Sequence, residues 1–535
     1  MQRKRDGRLF ILALALALLA GPVYGEGKPR PFPAKIVNSG LAAGQAIALE
    51  EIAQLGMERL HTPGLGIGVV MGSTLVYEGY FGYASILGNR PVDAESLFRI
   101  GSISKSMTTI GLLQQWELGK FGLDDEVNRH LPKPLIFPPH PDVQPVNFRH
   151  LLTHTSGVGE FLTYRQVLMI GQGVRVYGYD YKPLAHYLRF GAHTRVNPGI
   201  KFAYSNYGFG FIGLALETIS GEPFNDYMTE HVFSPLGMKD TTYQHTDAML
   251  TRIVTGYSYS EKDGYRPRAH SAYGVTPPGS VYTTVPDFGL YVEALLNGGR
   301  NRSGRALKPE TLAMMMSPQY TLDRRQRAYG FGLYIYGDIW GHHIVGHSGS
   351  VPFGHHSHML LAPNEKLGVF VFGNGESDTP TLVCWQALKL LLGATDQPAP
   401  AIKPDREAWP ELEGYYGPRY RDFKTSTRIY MAGIGTYQVK IVGDELKLIS
   451  TWQGKKKAQT LTQATPDDPY FFLISGEDTL GTGVPAYASF RQDPDGAWYF
   501  IPGGLEEFVR LGPTRILKAR LLAPAGRVLL RVNPF

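Results

Sequence analysis

The chain has 535 residues, of which 43% are hydrophobic, and its formal net charge at pH 7 is +6. This length exceeds that of one typical domain, and no dense basic run is present, which argues against a nucleic-acid partner. The single cysteine, Cys384, excludes an internal disulfide. Its apolar neighbours Val383 and Trp385 predict a position in the core.

The first 25 residues have the features of an export signal. Four basic residues precede an apolar run over residues 9–20, and the small residues Val23 and Gly25 suit cleavage before Glu26. The alternative is an N-terminal membrane anchor, although the run is short for a span. Removing residues 1–25 leaves a net charge of +3. We therefore expect a periplasmic or secreted protein without a stable membrane span once the leader is removed.

Apolar periodicity predicts one large domain over residues 26–395. The predicted elements, in chain order, are a helix over 38–60, a hairpin of strands 65–71 and 75–82, helices from Ser102 to Gly119, from Tyr204 to Ile219 and from Asp287 to Gly298, strands 332–337, 344–350 and 366–374, and a closing helix that contains Val383, Ala387 and Leu390. Strands at both ends with helices between them predict an α+β fold, in which flanking helices and a helical subdomain cover an antiparallel sheet.

A Pro-rich stretch over residues 396–410 predicts a linker. Beyond it, residues 411–535 contain short alternating segments separated by turn sequences such as Gly443-Asp444-Glu445 and Asp493-Pro494-Asp495-Gly496. This spacing predicts a small all-β domain, either a barrel or a sandwich.

Ser102 and Lys105 are spaced to lie on one face of a helix. Ser102 follows Gly101 and is a favoured helix N-cap residue, while Ile103, Met107 and Ile110 form an apolar stripe. Residues three apart on a helix are neighbours, so the Lys105 amine can accept the serine proton. Ser-x-x-Lys alone is more often a solvated helix face, so its assignment to catalysis depends on the rest of the chain.

Three motifs follow one another: Ser102-x-x-Lys105, Tyr204-x-Asn206 and His347-Ser348-Gly349. Together they resemble the serine β-lactamase and penicillin-binding-protein superfamily, and within it the branch of class C β-lactamases, D-aminopeptidases and family VIII carboxylesterases. The similarity covers roughly residues 40–395. Within this range, the segments 98–102, 151–157 and 373–374 also resemble the family. The C-terminal region resembles the lipocalin-like β-domain that is often appended to such hydrolases.

The resemblance implies a role for each motif. Ser102 is the expected nucleophile, Lys105 and Tyr204 share its proton, and Asn206 binds Lys105 and the substrate amide. The backbone N–H groups of Ser102 and Ser350 are expected to form an oxyanion hole. The remaining predicted substrate-binding residues are His347, Ser348 and Gly349.

His347 departs from the family's commonest pattern, in which lysine occupies this position. A neutral histidine suits a substrate carboxylate less well than a lysine cation does. We therefore expect D-amino-acid peptides first, small esters second and β-lactams third, hydrolysed without metal or cofactor. The expected partner is this small-molecule or peptide substrate, and oligomerisation through the β-domain stays open.

Three alternatives remain at this stage. Gly346-His347-Ser348-Gly349-Ser350 nearly matches the nucleophile elbow of α/β-hydrolases, with Ser348 as nucleophile, although no histidine follows His358. Six histidines between residues 342 and 358 could instead hold zinc in a metal-dependent hydrolase. The third alternative is a non-catalytic protein that binds cell-wall peptides, against which the intact Ser102, Lys105 and Tyr204 argue.

Overall fold

A computed structural model describes residues 32–395 and 402–512, except for residues 139, 141, 160–174, 177–180, 195, 271, 418–435, 453–454 and 476–479. The predicted export signal and the first part of the predicted linker therefore lie outside the described residues. Within the described part of the chain, no helix combines the length and the apolar character that a membrane span requires.

The N-terminal region contributes one edge of the main sheet. Its strands are β1 (Ala34–Asn38), β2 (Gly64–Met71), β3 (Thr74–Ser85) and β4 (Arg90–Pro91). Short strands then lie among the helices: β5 (Phe98–Arg99), β6 (Ile136–Phe137), β7 (Arg175–Val176), β8 (Ala192–His193), β9 (Tyr257–Ser260), β10 (Gly264–Pro267), β11 (Ala272–Tyr273) and β12 (Tyr282–Thr283). The pairing of β5 with β12 brings Arg99 opposite Tyr282.

Five later strands complete the main sheet: β13 (Ala328–Tyr329), β14 (Tyr334–Ile339), β15 (His342–Val351), β16 (His355–Ala362) and β17 (Leu367–Gly373). The antiparallel order is β1-β3-β2-β17-β16-β15-β14-β13, and β4 pairs with β3. Pairing of β17 with β2 joins the two ends of the region, which confirms the predicted sheet. β16 was not among the predicted elements, because its histidines and serine interrupt the apolar pattern.

The helices cover both faces of this sheet. They are α1 (Ala43–Leu60), α2 (Ser104–Glu117), α3 (Phe148–Leu152), α4 (Leu184–Leu188), α5 (Asn206–Ser220), α6 (Phe224–Met228), α7 (Val285–Leu296), α8 (Pro309–Met315) and α9 (Thr379–Leu391), while α10 (Trp409–Leu412) belongs to the C-terminal domain. In β17, Val369 and Val371 pack in one core together with residues of α1 and α9. Phe370 and Phe372 pack in the other core, which includes α2, α5 and α7. Burial on both faces explains the continuous apolar run of β17.

The C-terminal β-domain is a closed antiparallel barrel. Its strands are β18 (Gly414–Gly417), β19 (Tyr437–Val442), β20 (Glu445–Trp452), β21 (Lys455–Thr465), β22 (Asp468–Ser475), β23 (Ala486–Gln492), β24 (Trp498–Pro502) and β25 (Phe508–Arg510). Pairing of β25 with β18 closes the barrel. Aromatic side chains such as Phe490 and Phe500 fill it, and Trp409 of α10 belongs to the same core.

The barrel contacts the larger N-terminal domain through the segment before β13. The Gln326 side chain donates hydrogen bonds to Ser489 Oγ at 2.9 Å and to the Ile501 carbonyl at 3.3 Å. The Leu322 N–H donates to the Gly504 carbonyl at 2.8 Å. The two domains therefore share a polar contact with a buried centre at Gln326.

Candidate active site

Ser102 and Lys105 lie where the chain enters α2. Gly101–Ile103 form a 3₁₀ turn, and the regular helix begins at Ser104. The predicted N-cap role of Ser102 is wrong, since its side chain caps neither segment. Instead, the Lys105 Nζ donates a hydrogen bond to Ser102 Oγ over 3.0 Å. Lys105 is fully buried, whereas Ser102 is partly exposed, so an accessible hydroxyl lies beside a shielded amine.

Two further acceptors surround the Lys105 ammonium. Asn206 Oδ1 lies 2.7 Å from Nζ, and the Pro278 carbonyl oxygen lies 2.9 Å away. Thr108 on α2 fixes this loop by donating to the carbonyl of the preceding proline at 2.7 Å. An ammonium has three protons, and with Ser102 each of them has an acceptor. These acceptors offset the cost of burying the charge.

Tyr204 and Asn206 flank the N-cap of α5. Ser205 Oγ accepts the Gly208 N–H at 2.9 Å, which ends the preceding extended segment and starts the helix. The Lys105 Nζ lies 4.6 Å from the centroid of the Tyr204 ring. The structure thus brings together the predicted hydroxyl, amine, phenol ring and carboxamide from distant parts of the sequence.

The third motif lies at an open edge of β15. Pairing with β14 ends at Gly346, whereas pairing with β16 continues to Val351. The open segment approaches the start of α2 closely: a Cβ on Gly101 would come within 2.7 Å of the Ser350 nitrogen. Gly101 has φ +51°, in the left-handed region that glycine adopts readily. Glycine therefore permits the close approach of the nucleophile turn to this strand.

Side chains alternate along the open segment of β15. Ser348 and Ser350 are exposed, whereas His347 and Gly349 are buried. The exposed side chains face away from the protein interior, as expected for consecutive residues of a strand. Ser348 lies within an antiparallel strand and not at a strand-to-helix turn, so the nucleophile-elbow alternative is wrong.

His347 is a buried neutral side chain. Its Nε2 lies 3.2 Å from the Tyr329 hydroxyl, and its Nδ1 lies 2.5 Å from the Ser348 carbonyl oxygen. Burial, followed by the nearby charge of Lys105, lowers the pKa of His347 to about 3. The predicted direct contact of this ring with substrate stays a prediction.

The other histidines of the 342–358 segment have separate partners. His342 pairs with Glu365 at 2.6 Å, His356 Nε2 lies 3.3 Å from Ser350 Oγ, and His358 Nδ1 lies 3.1 Å from Thr381 Oγ1. Among the described residues, no three of these histidines converge on a common point. The three residues of the described chain whose possible metal-ligand atoms do converge are Glu222, Glu230 and His231, and they lie outside the 342–358 segment.

Two residues of the site were missed by the sequence reasoning. His154 was not among the predicted site residues, but the centroid of its ring lies 4.2 Å from that of Tyr204. Tyr329, on β13, lies within hydrogen-bonding distance of both His154 and His347. The segment around His154 was recognised as similar to the family and could have indicated it. Nothing in the local sequence distinguishes Tyr329.

Known proteins with similar sequence or structure agree with this architecture. Penicillin-binding protein 4* of Bacillus subtilis is 27% identical over 321 residues, which are 58% of this chain and 67% of that protein. The octameric penicillin-binding protein homologue of Pyrococcus abyssi has a TM-score of 0.55 at 24% identity, over 86% of this chain and 99% of its own. The hydrolase EstCE1, which has promiscuous acyltransferase activity, has a TM-score of 0.56 at 22% identity, over 65% of this chain and 99% of its own.

Family membership rests on a match to a sequence family. The family model named Beta-lactamase matches residues 49–392, which is more than half of the chain. This interval contains the strands of the main sheet except β1, together with all three motifs, while the barrel lies beyond it. The chain therefore belongs to the beta-lactamase family, a family of serine hydrolases, and has an additional C-terminal β-barrel.

Proposed function

We propose that this protein hydrolyses amide or ester bonds through a covalent acyl-enzyme on Ser102. The observation that carries the proposal is the contact of 3.0 Å between Lys105 Nζ and the partly exposed Ser102 Oγ. Asn206 holds the same amine, and Tyr204 lies beside it. A nucleophile, a proton-accepting pair and backbone donors in one place are the parts that acyl transfer requires.

The reaction runs in two stages. Ser102 Oγ attacks the substrate carbonyl carbon, and its proton passes to the Tyr204–Lys105 pair, in which Tyr204 acts as a phenolate beside the Lys105 ammonium. The carbonyl oxygen, now negative, is stabilised by the N–H groups of Ser102 and Ser350. The pair returns the proton to the leaving nitrogen or oxygen as the bond to carbon breaks. Water then attacks the acyl-enzyme, gives a proton to the same pair, and Ser102 recovers it as the acid is released.

The environment of His347 supports the substrate ranking. This buried neutral ring stands where relatives most often have a lysine cation, and both of its nitrogens lie beside groups of the protein. We therefore rank D-amino-acid peptides before small esters, and β-lactams third. A solved relative named SurE was determined with D-Leu, at a TM-score of 0.57 and 19% identity, which is consistent with this order.

The test uses three substrates: a D-aminoacyl anilide, a short-chain nitrophenyl ester and a chromogenic cephalosporin. Ser102→Ala should abolish turnover and remove the acyl adduct that mass spectrometry detects on the wild type. Ser348→Ala is the matched control on the neighbouring strand and should retain the adduct, and EDTA should have no effect. Loss of activity on chelation would favour a zinc hydrolase instead. Absence of both turnover and adduct from the wild type would favour a binding protein.

Export and assembly are further parts of the proposal. Residues 1–25 should be removed during secretion, which N-terminal sequencing of the mature protein tests directly. The Pyrococcus relative is octameric, and we propose that the barrel of this chain mediates assembly. Light scattering of the full mature chain should then give a mass well above that of the monomer.

A further inference from the structure

A chain of hydrogen bonds connects the Tyr204 segment to β15. The Ser205 N–H donates to His154 Nδ1 at 3.0 Å. His154 Nε2 lies 3.1 Å from the Tyr329 hydroxyl, and this hydroxyl lies 3.2 Å from His347 Nε2. His347 Nδ1 then lies 2.5 Å from the Ser348 carbonyl oxygen. His154, Tyr329 and His347 are all buried.

Both ends of this chain have fixed roles, so the proton positions follow. A backbone N–H can only donate and a carbonyl oxygen can only accept. The Ser205 N–H therefore requires an unprotonated Nδ1 on His154. The proton of the His154 ring is then on Nε2 and points to the Tyr329 hydroxyl. The Tyr329 proton points to His347 Nε2, and the His347 proton is on Nδ1, directed at Ser348. Four bonds use four protons when both imidazoles are neutral.

An added proton breaks this order. On His154 Nδ1 it would face the Ser205 N–H. On His347 Nε2 it would leave the Tyr329 hydroxyl proton without an acceptor in a buried position, which is unfavourable. Burial and the charge of Lys105 lower the pKa of both histidines, so the neutral arrangement persists over the ordinary pH range.

His154 also holds the backbone on both sides of Tyr204. Its carbonyl accepts the Ala203 N–H at 2.7 Å, while its ring accepts the Ser205 N–H. The residue has φ +58°, an uncommon conformation for which histidine is one of the tolerated residue types. Carbonyl and ring can thus bind two N–H groups that are two residues apart, and the ring packs against the Tyr204 ring at an interplanar angle of 32°.

We propose that His154 and Tyr329 are positioning residues that, with His347, lock the Tyr204–Asn206 segment against the 347–350 edge of β15 through one proton-ordered chain. This inference rests on the proposed function, since it assigns those two segments to proton transfer and to the oxyanion hole. In this proposal His347 has a structural role inside the protein and does not contact the substrate. Breaking this chain of hydrogen bonds should lower kcat more than it weakens substrate binding, because small displacements of reacting groups have large effects on rate.

The central variant is Tyr329→Phe, which removes one hydroxyl and keeps the ring. Its matched control is Tyr334→Phe, because the Tyr334 ring lies 5.0 Å from the His347 ring but its hydroxyl is not part of the chain. We expect Tyr329→Phe to lower kcat roughly 10- to 100-fold with KM changed less than about threefold. Tyr334→Phe should keep both within about threefold of the wild type.

Nitrogen-15 NMR of histidine-labelled full-length protein gives a second readout that does not depend on activity. The wild type should show His347 protonated on Nδ1 and His154 on Nε2, with signals assigned by His347→Gln and His154→Gln. Both signals should shift in Tyr329→Phe but persist in Tyr334→Phe. The opposite tautomers in the wild type would overturn the proposal even if Tyr329→Phe failed to fold.

The outcomes separate this inference from the proposed function. An active wild type with an equally active Tyr329→Phe overturns the positioning role alone, because Ser102 chemistry is then intact. A wild type that forms no Ser102 adduct overturns both. A selective loss of kcat in Tyr329→Phe, with the Ser102 adduct still formed slowly, supports both.

Discussion

Two buried polar networks meet at Tyr204, and they differ in charge. The first surrounds the Lys105 ammonium with three oxygen acceptors. The second runs through His154 and Tyr329 to His347 and contains no net charge. The Tyr204 ring lies 4.6 Å from the amine of the first and 4.2 Å from the His154 ring of the second.

The difference shows how one cleft can use separate groups for proton transfer and for positioning the backbone. The charged network lies at the nucleophile and can exchange protons with a substrate, whereas the fully satisfied neutral chain holds two backbone segments in place. The two are also coupled, since the charge of Lys105 adds to burial in lowering the pKa of His154 and His347. The cation thus helps to keep the neighbouring network neutral.

Removing the charge should have the largest effect. Lys105→Met keeps most of the side-chain volume but leaves Ser102 without a proton partner, so kcat should fall by about 10³-fold or more. Steady-state kinetics on the best substrate measures this. Lys120→Met, an exposed position just after α2, is the control and should be neutral. Comparable activity in Lys105→Met would contradict the assignment of catalysis to the charged network.

Removing one hydrogen-bond acceptor of Lys105 while keeping its charge should lower kcat less than removing the charge does. Asn206→Ala removes the acceptor at 2.7 Å from the amine and leaves the other two. The amine then loses its orientation toward Ser102, and we expect a reduction of kcat of roughly 10- to 100-fold. Burst kinetics would show whether acylation is the affected step. A loss as large as that of Lys105→Met would mean that Asn206 itself takes part in proton transfer.

The two networks also differ in how well the sequence predicted them. The Ser102–Lys105 pair is local, three residues apart, so helical spacing was sufficient. Tyr204 and Asn206 were found only because their motif resembles a family. Tyr329 was missed, since its role arises from the pairing of strands far apart in the chain. The predicted N-cap at Ser102 failed because Ser102 lies inside the 3₁₀ turn that precedes the regular helix, and not at the start of either segment.

The neutral network should be visible in the pH dependence of stability. The pKa of His347 is about 3 in the folded protein and near 6.5 in an unfolded chain. Between these values the unfolded chain binds a proton that the folded protein excludes. The free energy of unfolding therefore falls as the pH drops from 6.5 towards 3, by about 1.4 kcal/mol per pH unit from this ring.

His347→Gln removes this contribution, so its stability should depend less on pH than that of the wild type by that amount. Denaturant unfolding at several pH values between 4 and 7 measures the difference. The exposed His140 provides the control, since His140→Gln should retain the wild-type slope. An unchanged slope in His347→Gln would mean that His347 binds a proton as readily in the folded protein as in the unfolded chain, and that the second network does not exclude charge.

The smallest effect on catalysis is expected outside both networks, at the contact between barrel and catalytic domain. Gln326→Ala removes the buried amide that binds Ser489 and the Ile501 carbonyl. The loss should destabilise the protein by about 1–3 kcal/mol and leave kcat/KM within about twofold. Thermal unfolding and steady-state kinetics on one preparation measure both. A lower kcat/KM in the folded variant would show that the barrel also positions the cleft, because β13, which contains Tyr329, begins two residues after Gln326.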